Sequence, residues 1–307
     1  MEHGSKIHFL RGKDFYLPKI INEPFENQLL EQIPFTDYLA KRDAISSSGL
    51  RKVLESPRHY LAWIVGQDEE DTDYFRFGRA AHMMLLEPEE FKKRYIVMPD
   101  FGDMRSSKNR TNRDAWLAQQ YDSTVVVTQK EQDELVGMAN AIMDHDVASG
   151  IMKNCKTEMT GYFVDPETKI LCKIRPDIIH QDEMGLHIYD YKTTSFIRGA
   201  MGDVERFKYF IQIAFYAYGI SVITGQEPYS VGFVFQEKEM PWQPDVIVLD
   251  IASIEKGMDF VKHGLRTLRK CLDTGVWPFA QTNARMGGVS RFTLEAPLPE
   301  FNFGEGK

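Results

Sequence analysis

Cysteine is scarce in this chain: Cys155, Cys172 and Cys271 are odd in number, far apart and without a CxxC pair. That spacing suggests neither a disulfide framework nor a zinc site. Three dispersed thiols cannot supply the four ligands of an iron–sulfur cluster. Long apolar runs are missing too, and no stretch approaches the ~20 residues of a membrane span. Residues Met1–Lys13 are polar and charged, without the apolar core of an export signal. The expectation is a soluble chain of a reducing cytoplasm with no membrane association. Repeats and low-complexity tracts are absent, so the chain reads as one continuous architecture. An excess of positive charge is also lacking, since the formal net charge is -8. This argues mildly against a protein that coats nucleic acid non-specifically, but a nuclease needs only clustered carboxylates and a local basic stripe.

What is present is ample apolar material, 43% of 307 residues, enough for a sizeable core. Residues 1–42 scatter Phe15, Tyr16, Phe25, Phe35 and Tyr38 among Pro18, Pro24 and Pro34, a pattern of an extended arm docked on a body. The body, 43–307, begins with N-cap candidates Ser46–Ser48 and a helical pair, the second helix starting at Pro57. After the acidic run Asp68–Asp73 comes a helix over Phe77–Leu86 carrying His82. Pro99–Arg113 lacks apolar periodicity and holds Arg105, Lys108, Arg110 and Arg113, which predicts a mobile basic loop near 99–113. Thr128 caps a helix closed by Gly150. Strands are expected over Thr160–Val164, Lys169–His180 and Leu186–Thr194 as an antiparallel meander. A long helix over Val204–Ile223, strands Tyr229–Gln236 and Asp245–Asp250, and an amphipathic helix over Ile254–Leu272 complete it. The fold class is α/β (α+β), a mixed sheet flanked by helices.

The chemistry concentrates in Ile188-Tyr189-Asp190-Tyr191-Lys192-Thr193-Thr194, where two charged residues interrupt a strand-forming run. Asp190 and Lys192 share a face of a strand. Thirteen positions upstream of Asp190 lies Asp177, preceded by Pro176, which disfavours a regular ladder and suggests a bend. A hairpin can bring Asp177 beside Asp190, and paired carboxylates of this kind suit Mg²⁺ or Mn²⁺. Lys192 is placed to orient an attacking water or stabilise charge on a phosphate. The bland alternative is an exposed salt bridge on a strand, because D-x-K alone is short.

Pro176-Asp177, Asp190-Tyr191-Lys192 and Gln212-Ile213-Ala214-Phe215-Tyr216 resemble the PD-(D/E)xK and Q-x-x-x-Y motifs of RecB-like nucleases. Ser56-Pro57-Arg58-His59-Tyr60, Phe77-Gly78-Arg79-Ala80-Ala81-His82 and Leu86-Glu87-Pro88-Glu89-Glu90-Phe91 resemble the RecE (exonuclease VIII) branch. The resemblance spans about Ile45 to Phe279 and implies a restriction-endonuclease-like core. It implies that Asp177 and Asp190 bind metal, that Lys192 is catalytic, and that His82 and the Tyr191 carbonyl complete the metal shell. Glu158 would contact metal or water, and Gln212 and Tyr216 the substrate. On periodicity alone His82, Gln212 and Tyr216 read equally as core residues, and Glu158 as the start of a strand. The basic loop would guide DNA through bidentate guanidinium–phosphate contacts.

The function these features imply is Mg²⁺-dependent DNA hydrolysis. By the RecE resemblance it would be a 5′-to-3′ exonuclease on linear duplex, leaving 3′ tails for a single-strand annealing protein in phage or prophage recombination, in a ring-shaped homo-oligomer. The alternatives are an endonuclease or single-strand-specific nuclease on the same fold, and a catalytically silent DNA-binding protein.

Overall fold

The computed structural model describes residues 16–30, 32–66, 73–121 and 123–280, except the side chains of 73–75. Met1–Lys13, Phe15 and the acidic run up to residue 72 lie outside the described residues.

The chain enters along a small antiparallel sheet. Strand β1 (Gln28–Leu30) pairs with β5 (Thr160–Val164), which pairs with β6 (Leu171–Ile174). Segments near Ile20 and Ile45 bridge to the free edge of β6 at Ile170 and Cys172. The described part of residues 16–42 therefore flanks both edges of this sheet. Helix α1 (Phe35–Ala40) closes the arm.

Next come α2 (Ser47–Glu55) and α3 (Pro57–Ile64), sharing a junction at Ser56. Ser46 caps α2, and Ser56 caps α3 by accepting the His59 N–H, as Ser and Pro at these positions favour. Helix α4 (Asp73–Leu86) and α5 (Pro88–Arg94) follow, then β2 (Tyr95–Val97), which pairs in parallel with β3 (Val125–Val127). Between them lies α6 (Ser107–Leu117), so the expected basic loop is helical from Ser107 on. None of its residues is buried, and a helix without a buried stripe leaves no apolar period to read.

Helix α7 (Gln129–Asp144) starts with a full capping box, Thr128 and Glu131 bonding each other's backbone. It ends six residues before Gly150, which sits within α8 (Asp146–Lys153). There His145 replaces glycine as the punctuation, its ring accepting the Ala148 N–H at 3.2 Å.

The five-stranded sheet carries the order β10-β9-β8-β7-β4. Its members are β4 (Cys155–Thr157), β7 (Ile178–Gln181), β8 (Leu186–Thr194), β9 (Ser230–Glu237) and β10 (Pro244–Val248). Only β8 and β9 run parallel; the other pairs are antiparallel. The expected meander is thus corrected: the single run Lys169–His180 is two strands in two sheets, broken at Arg175-Pro176-Asp177. The expected helix over Val204–Ile223 is likewise two, α9 (Ala200–Arg206) and α10 (Tyr209–Thr224), broken where Lys208 takes φ 55°. Helix α11 (Ile251–Thr274) ends the described fold.

One sheet face buries Ile188, Val231, Phe233 and Phe235 under α10, with α2, α3 and α11 extending the same core. The other face buries Ile178, Tyr189, Tyr191 and Val234 beneath α4, α7 and α8. Each fully buried Phe or Leu here is worth roughly 1.5–3 kcal/mol. Helices on both faces explain why β8 is buried almost throughout instead of alternating. Among the described residues, no helix is long and apolar enough to cross a membrane.

Candidate active site

The site forms where the chain crosses from one sheet to the other. Strands β4 and β5 run up one side of a ribbon and β6 and β7 down the other, pairing β5 with β6 and β4 with β7. Both sides bend at the same level. On one side Glu158 adopts φ 55°, a left-handed conformation that costs a non-glycine residue roughly 1–2 kcal/mol. On the other, Pro176 supplies no N–H, and the Asp177 carbonyl accepts the Glu158 N–H at 3.0 Å. The crease turns the side chains of Glu158 and Asp177 to the same place.

Strand β8 runs past this crease. Its pairing with β7 stops at Tyr189 opposite Ile178, and the Asp177 carboxylate then replaces the missing strand, with Oδ2 accepting the Tyr191 N–H at 2.8 Å. Asp190 points to the α10 face, fully buried, and its Oδ1 accepts from Gln212 Nε2 at 3.0 Å. The same amide donates to the Tyr216 hydroxyl at 3.0 Å. Gln212 and Tyr216 are therefore placed behind Asp190, themselves buried. Lys192, two residues on and on the same face, forms an ion pair with Asp190 Oδ2. Its ammonium also lies 5.1 Å from the centre of the Tyr209 ring.

Helix α4 brings His82 from the opposite side. Its Nε2 lies 3.1 Å from Asp177 Oδ2 and 3.5 Å from Glu158 Oε1. The helix gets close because Gly78, one turn earlier, has no Cβ: one would stand 3.2 Å from Thr193 Oγ1.

His82, Glu158 and Asp177 each offer a ligand atom within 4.8 Å of the others. Asp190 flanks this trio. The donor set, one imidazole nitrogen and carboxylate oxygens, fits a hard or borderline divalent cation. Glu158 Oε1 is buried without a hydrogen-bond partner, an orphan that a cation would satisfy.

The electrostatics agree. Burial and the nearby Asp177 charge push Glu158 up to about 7. Burial, again with Asp177, pushes Asp190 up to about 6 against the pull of Lys192. Burial alone would depress His82, yet Asp177 and Glu158 overcome it and raise the imidazole to about 9. Burial would raise Asp177, but His82, Lys192 and the Tyr191 N–H hold it below the ordinary carboxylate value. Lys192, despite burial, is raised by Asp190 and Asp177. Crowded carboxylates that hold protons near neutrality mark a place short of positive charge.

Arg175 carries no role in the sequence reading, although a charged residue inside an otherwise apolar run was a visible signal. Buried in the crease, it forms an ion pair with Glu158 Oε2 and donates to Thr160 Oγ1 at 3.0 Å and to the Ile33 carbonyl at 2.9 Å. The arm thus braces the residue that braces Glu158. Lys173 is fixed by the same arm, donating to the Tyr38 and Lys41 carbonyls at 2.7 and 2.8 Å. Tyr209 also had no sequence signal apart from helix propensity.

Three of the four basic residues of 99–113 make local contacts. Arg105 pairs with Asp103 at 2.8 Å and Arg113 with Asp114 at 2.7 Å, while Arg110 donates to the Met104 and Arg105 carbonyls at 2.9 and 3.0 Å. Lys108 is exposed. They lie on and just before α6.

A crossed mixed sheet between helices, with acids at a crease and a D-x-K pair on the neighbouring strand, defines a restriction-endonuclease-like core. Residues 46–285 match the family model DUF3799, a PDDEXK-like domain of unknown function, and the chain belongs to that family. The crystal structure of a "Putative exonuclease" from Eubacterium rectale superposes with TM-score 0.54 at 13% identity, covering 78% of this chain and 87% of that one. At that identity the likeness shows the fold. The crystal structure of SSO0001 aligns with TM-score 0.25 at 14% identity, over 76% of this chain and 88% of that one, and carries no argument. No curated protein matches the sequence. Fold and family support a nuclease.

Proposed function

We propose that this protein is a metal-dependent deoxyribonuclease in which His82, Glu158, Asp177 and Asp190 hold a divalent cation and Lys192 is the catalytic amine. The observation that carries the reading is the convergence of Asp177, Asp190 and Lys192 at one crease, with Gln212 locking Asp190. A bound Mg²⁺ or Mn²⁺ supplies Lewis-acid charge and lowers the pKa of its water. The chain's own residues do the rest. Glu158, braced by Arg175, and Asp177, held by the Tyr191 N–H, present oxygens in fixed positions. The Tyr191 carbonyl is an additional ligand in this reading. Asp190 keeps Lys192 protonated beside the site, so its ammonium can bind a phosphate oxygen and stabilise the charge that builds in the transition state. Gln212 and Tyr216 act as positioning residues, and Arg105, Lys108, Arg110 and Arg113 contact the DNA backbone farther out.

The finer reading is an exonuclease of the RecE type. It degrades one strand of linear duplex from the 5′ end in the cytoplasm, leaving 3′ tails for an annealing protein, and works as a closed ring. Digestion of end-labelled linear duplex with Mg²⁺ supplied or chelated tests chemistry, metal and polarity together. Shortening only with Mg²⁺, with the 5′ label released first, is expected. Equal cutting of covalently closed circular duplex would overturn the exonuclease reading and leave the nuclease standing.

A further inference from the structure

Outward from Lys192 the structure holds a line of aromatic and basic groups that hydrolysis itself does not require. The Lys192 ammonium lies 5.1 Å from the Tyr209 ring centre, and the Phe207 ring lies 5.5 Å from that of Tyr209 at an interplanar angle of 33°. Phe207 is 44% exposed. The Arg206 guanidinium stands 5.1 Å from the Phe207 ring centre, and Arg51 Nη1 donates to the Phe207 carbonyl at 3.2 Å. The break between α9 and α10 frees Phe207 from a helix interior, because Lys208 takes φ 55°.

An isolated exposed Phe is ordinary. This one differs in its neighbours: it continues from the catalytic ammonium through Tyr209, with the Arg206 guanidinium against its ring and that of Arg51 on its backbone carbonyl. An apolar ring bordered by cations, continuous with a phosphate-cleaving site, is complementary to a nucleotide, whose base has a π-face and whose phosphate is anionic. A base inside a duplex is already stacked on both faces, so the ring is open only to an unpaired base or to the outer face of a terminal pair, and the flanking cations fit the exposed phosphates of the unpaired one better.

We propose that Phe207 and Tyr209 form a stacking platform for an unpaired nucleotide of the DNA strand beside the scissile phosphate, with Arg51 and Arg206 binding the adjoining phosphates. The proposal rests on the nuclease reading above and specifies its substrate end: a frayed or single-stranded terminus enters the site, and an intact base pair does not.

The test is titration of a single-stranded oligodeoxynucleotide carrying one 2-aminopurine, in EDTA so that no turnover occurs. Stacking on the platform quenches the probe. Phe207→Ala is expected to lose most of the quenching and to bind roughly tenfold more weakly, and Phe207→Trp to restore both. Phe207→Leu keeps apolar bulk without a π-face and should behave like the alanine variant. Because Phe207 is exposed, all three should fold, which circular dichroism checks. Wild-type affinity and quenching in Phe207→Ala, or full rescue by Phe207→Leu, would overturn the platform. So would an equal loss of affinity for blunt duplex and for single strand. Cleavage by the wild-type protein is measured in parallel with Mg²⁺ and with Mn²⁺. No cleavage with either, while quenching persists, would overturn the nuclease reading and leave the platform as a binding site.

Discussion

The two ends of the β7–β8 hairpin each gather histidines and carboxylates, and they are built on opposite plans. At the turn end, His187 uses both ring nitrogens, one with Ser230 Oγ at 2.8 Å and one with Asp182 Oδ1 at 2.8 Å. His180 is held by the Asn154 carbonyl at 3.0 Å. Asp182 also accepts the Met184 and Gly185 N–H groups, and the His187 hydrogen bond leads the effects that hold its carboxyl below the ordinary value. These groups are satisfied by one another and by the adjoining segments at Asn154 and Ser230, and the cluster closes a turn. At the crease end, His82, Glu158, Asp177 and Asp190 come from four separate segments, Glu158 Oε1 is orphaned, and two carboxyls are raised by burial and by Asp177. Polar groups that satisfy one another stabilise a fold, whereas polar groups left short of a partner are held there by the rest of the fold.

The sharpest way to break this contrast is to remove one charge from each end. Lys192→Ala should lower the cleavage rate by roughly 10²–10³-fold, as loss of one transition-state donor does, while Asp182→Asn leaves it unchanged. Initial rates on labelled duplex measure both, and equal losses would mean that the crease is not the catalytic end.

Stability should separate the ends next. Arg175→Met strands the buried Glu158 carboxylate and should cost about 3–5 kcal/mol in urea unfolding, and adding Glu158→Gln should return most of it. An additive double variant would show that the two residues do not depend on each other.

Proton linkage gives a smaller effect with a definite sign. Glu158, Asp190 and His82 all have folded-state pKa values raised above their ordinary ones, to about 7, 6 and 9. In the metal-free protein each binds protons more tightly when folded, so what these three groups contribute to stability falls as pH rises from about 4 to about 9. His82 accounts for the upper part, from 6.5 to about 9, and His82→Ala should flatten it. Thermal melts of wild type and His82→Ala in EDTA across this range measure the slope, and an unchanged slope between 6.5 and about 9 in the variant would contradict the electrostatics. Mg²⁺ or Mn²⁺ should restore what is lost, by about 2.7 kcal/mol at a free concentration 100 times Kd. Affinity should increase with pH, because the metal displaces protons from its ligands. Smallest of all, Asp182→Asn should leave metal-induced stabilisation as it is in the wild type.

Much of the crease was legible beforehand because its chemistry is written in short local patterns. Alternation put Asp190 and Lys192 on one strand face, and Pro176 announced a bend beside Asp177. The helix carrying His82 was expected over Phe77–Leu86 and is observed from Asp73. Less legible was anything that depends on where a run stops belonging to one sheet. Lys169–His180 reads as one strand because every residue but the bend is strand-compatible. Its division follows from β5 and β8 competing for its two halves. α6 escaped notice because it buries nothing.

Sequence alone determined local geometry: an acid beside a bending proline, an acid and a lysine two apart on one strand face, a glutamine and a tyrosine sharing one helix face, with a site role for the last pair implied only by the family resemblance. Such spacings are fixed by strand and helix periods, which are local properties of the backbone. Tertiary structure decided that Gln212 serves Asp190, that Arg175 and the arm secure Glu158, and that Phe207 stands exposed beyond Lys192. Those relations join residues far apart in the chain, and only the packing of helices on both sheet faces brings them within hydrogen-bonding range.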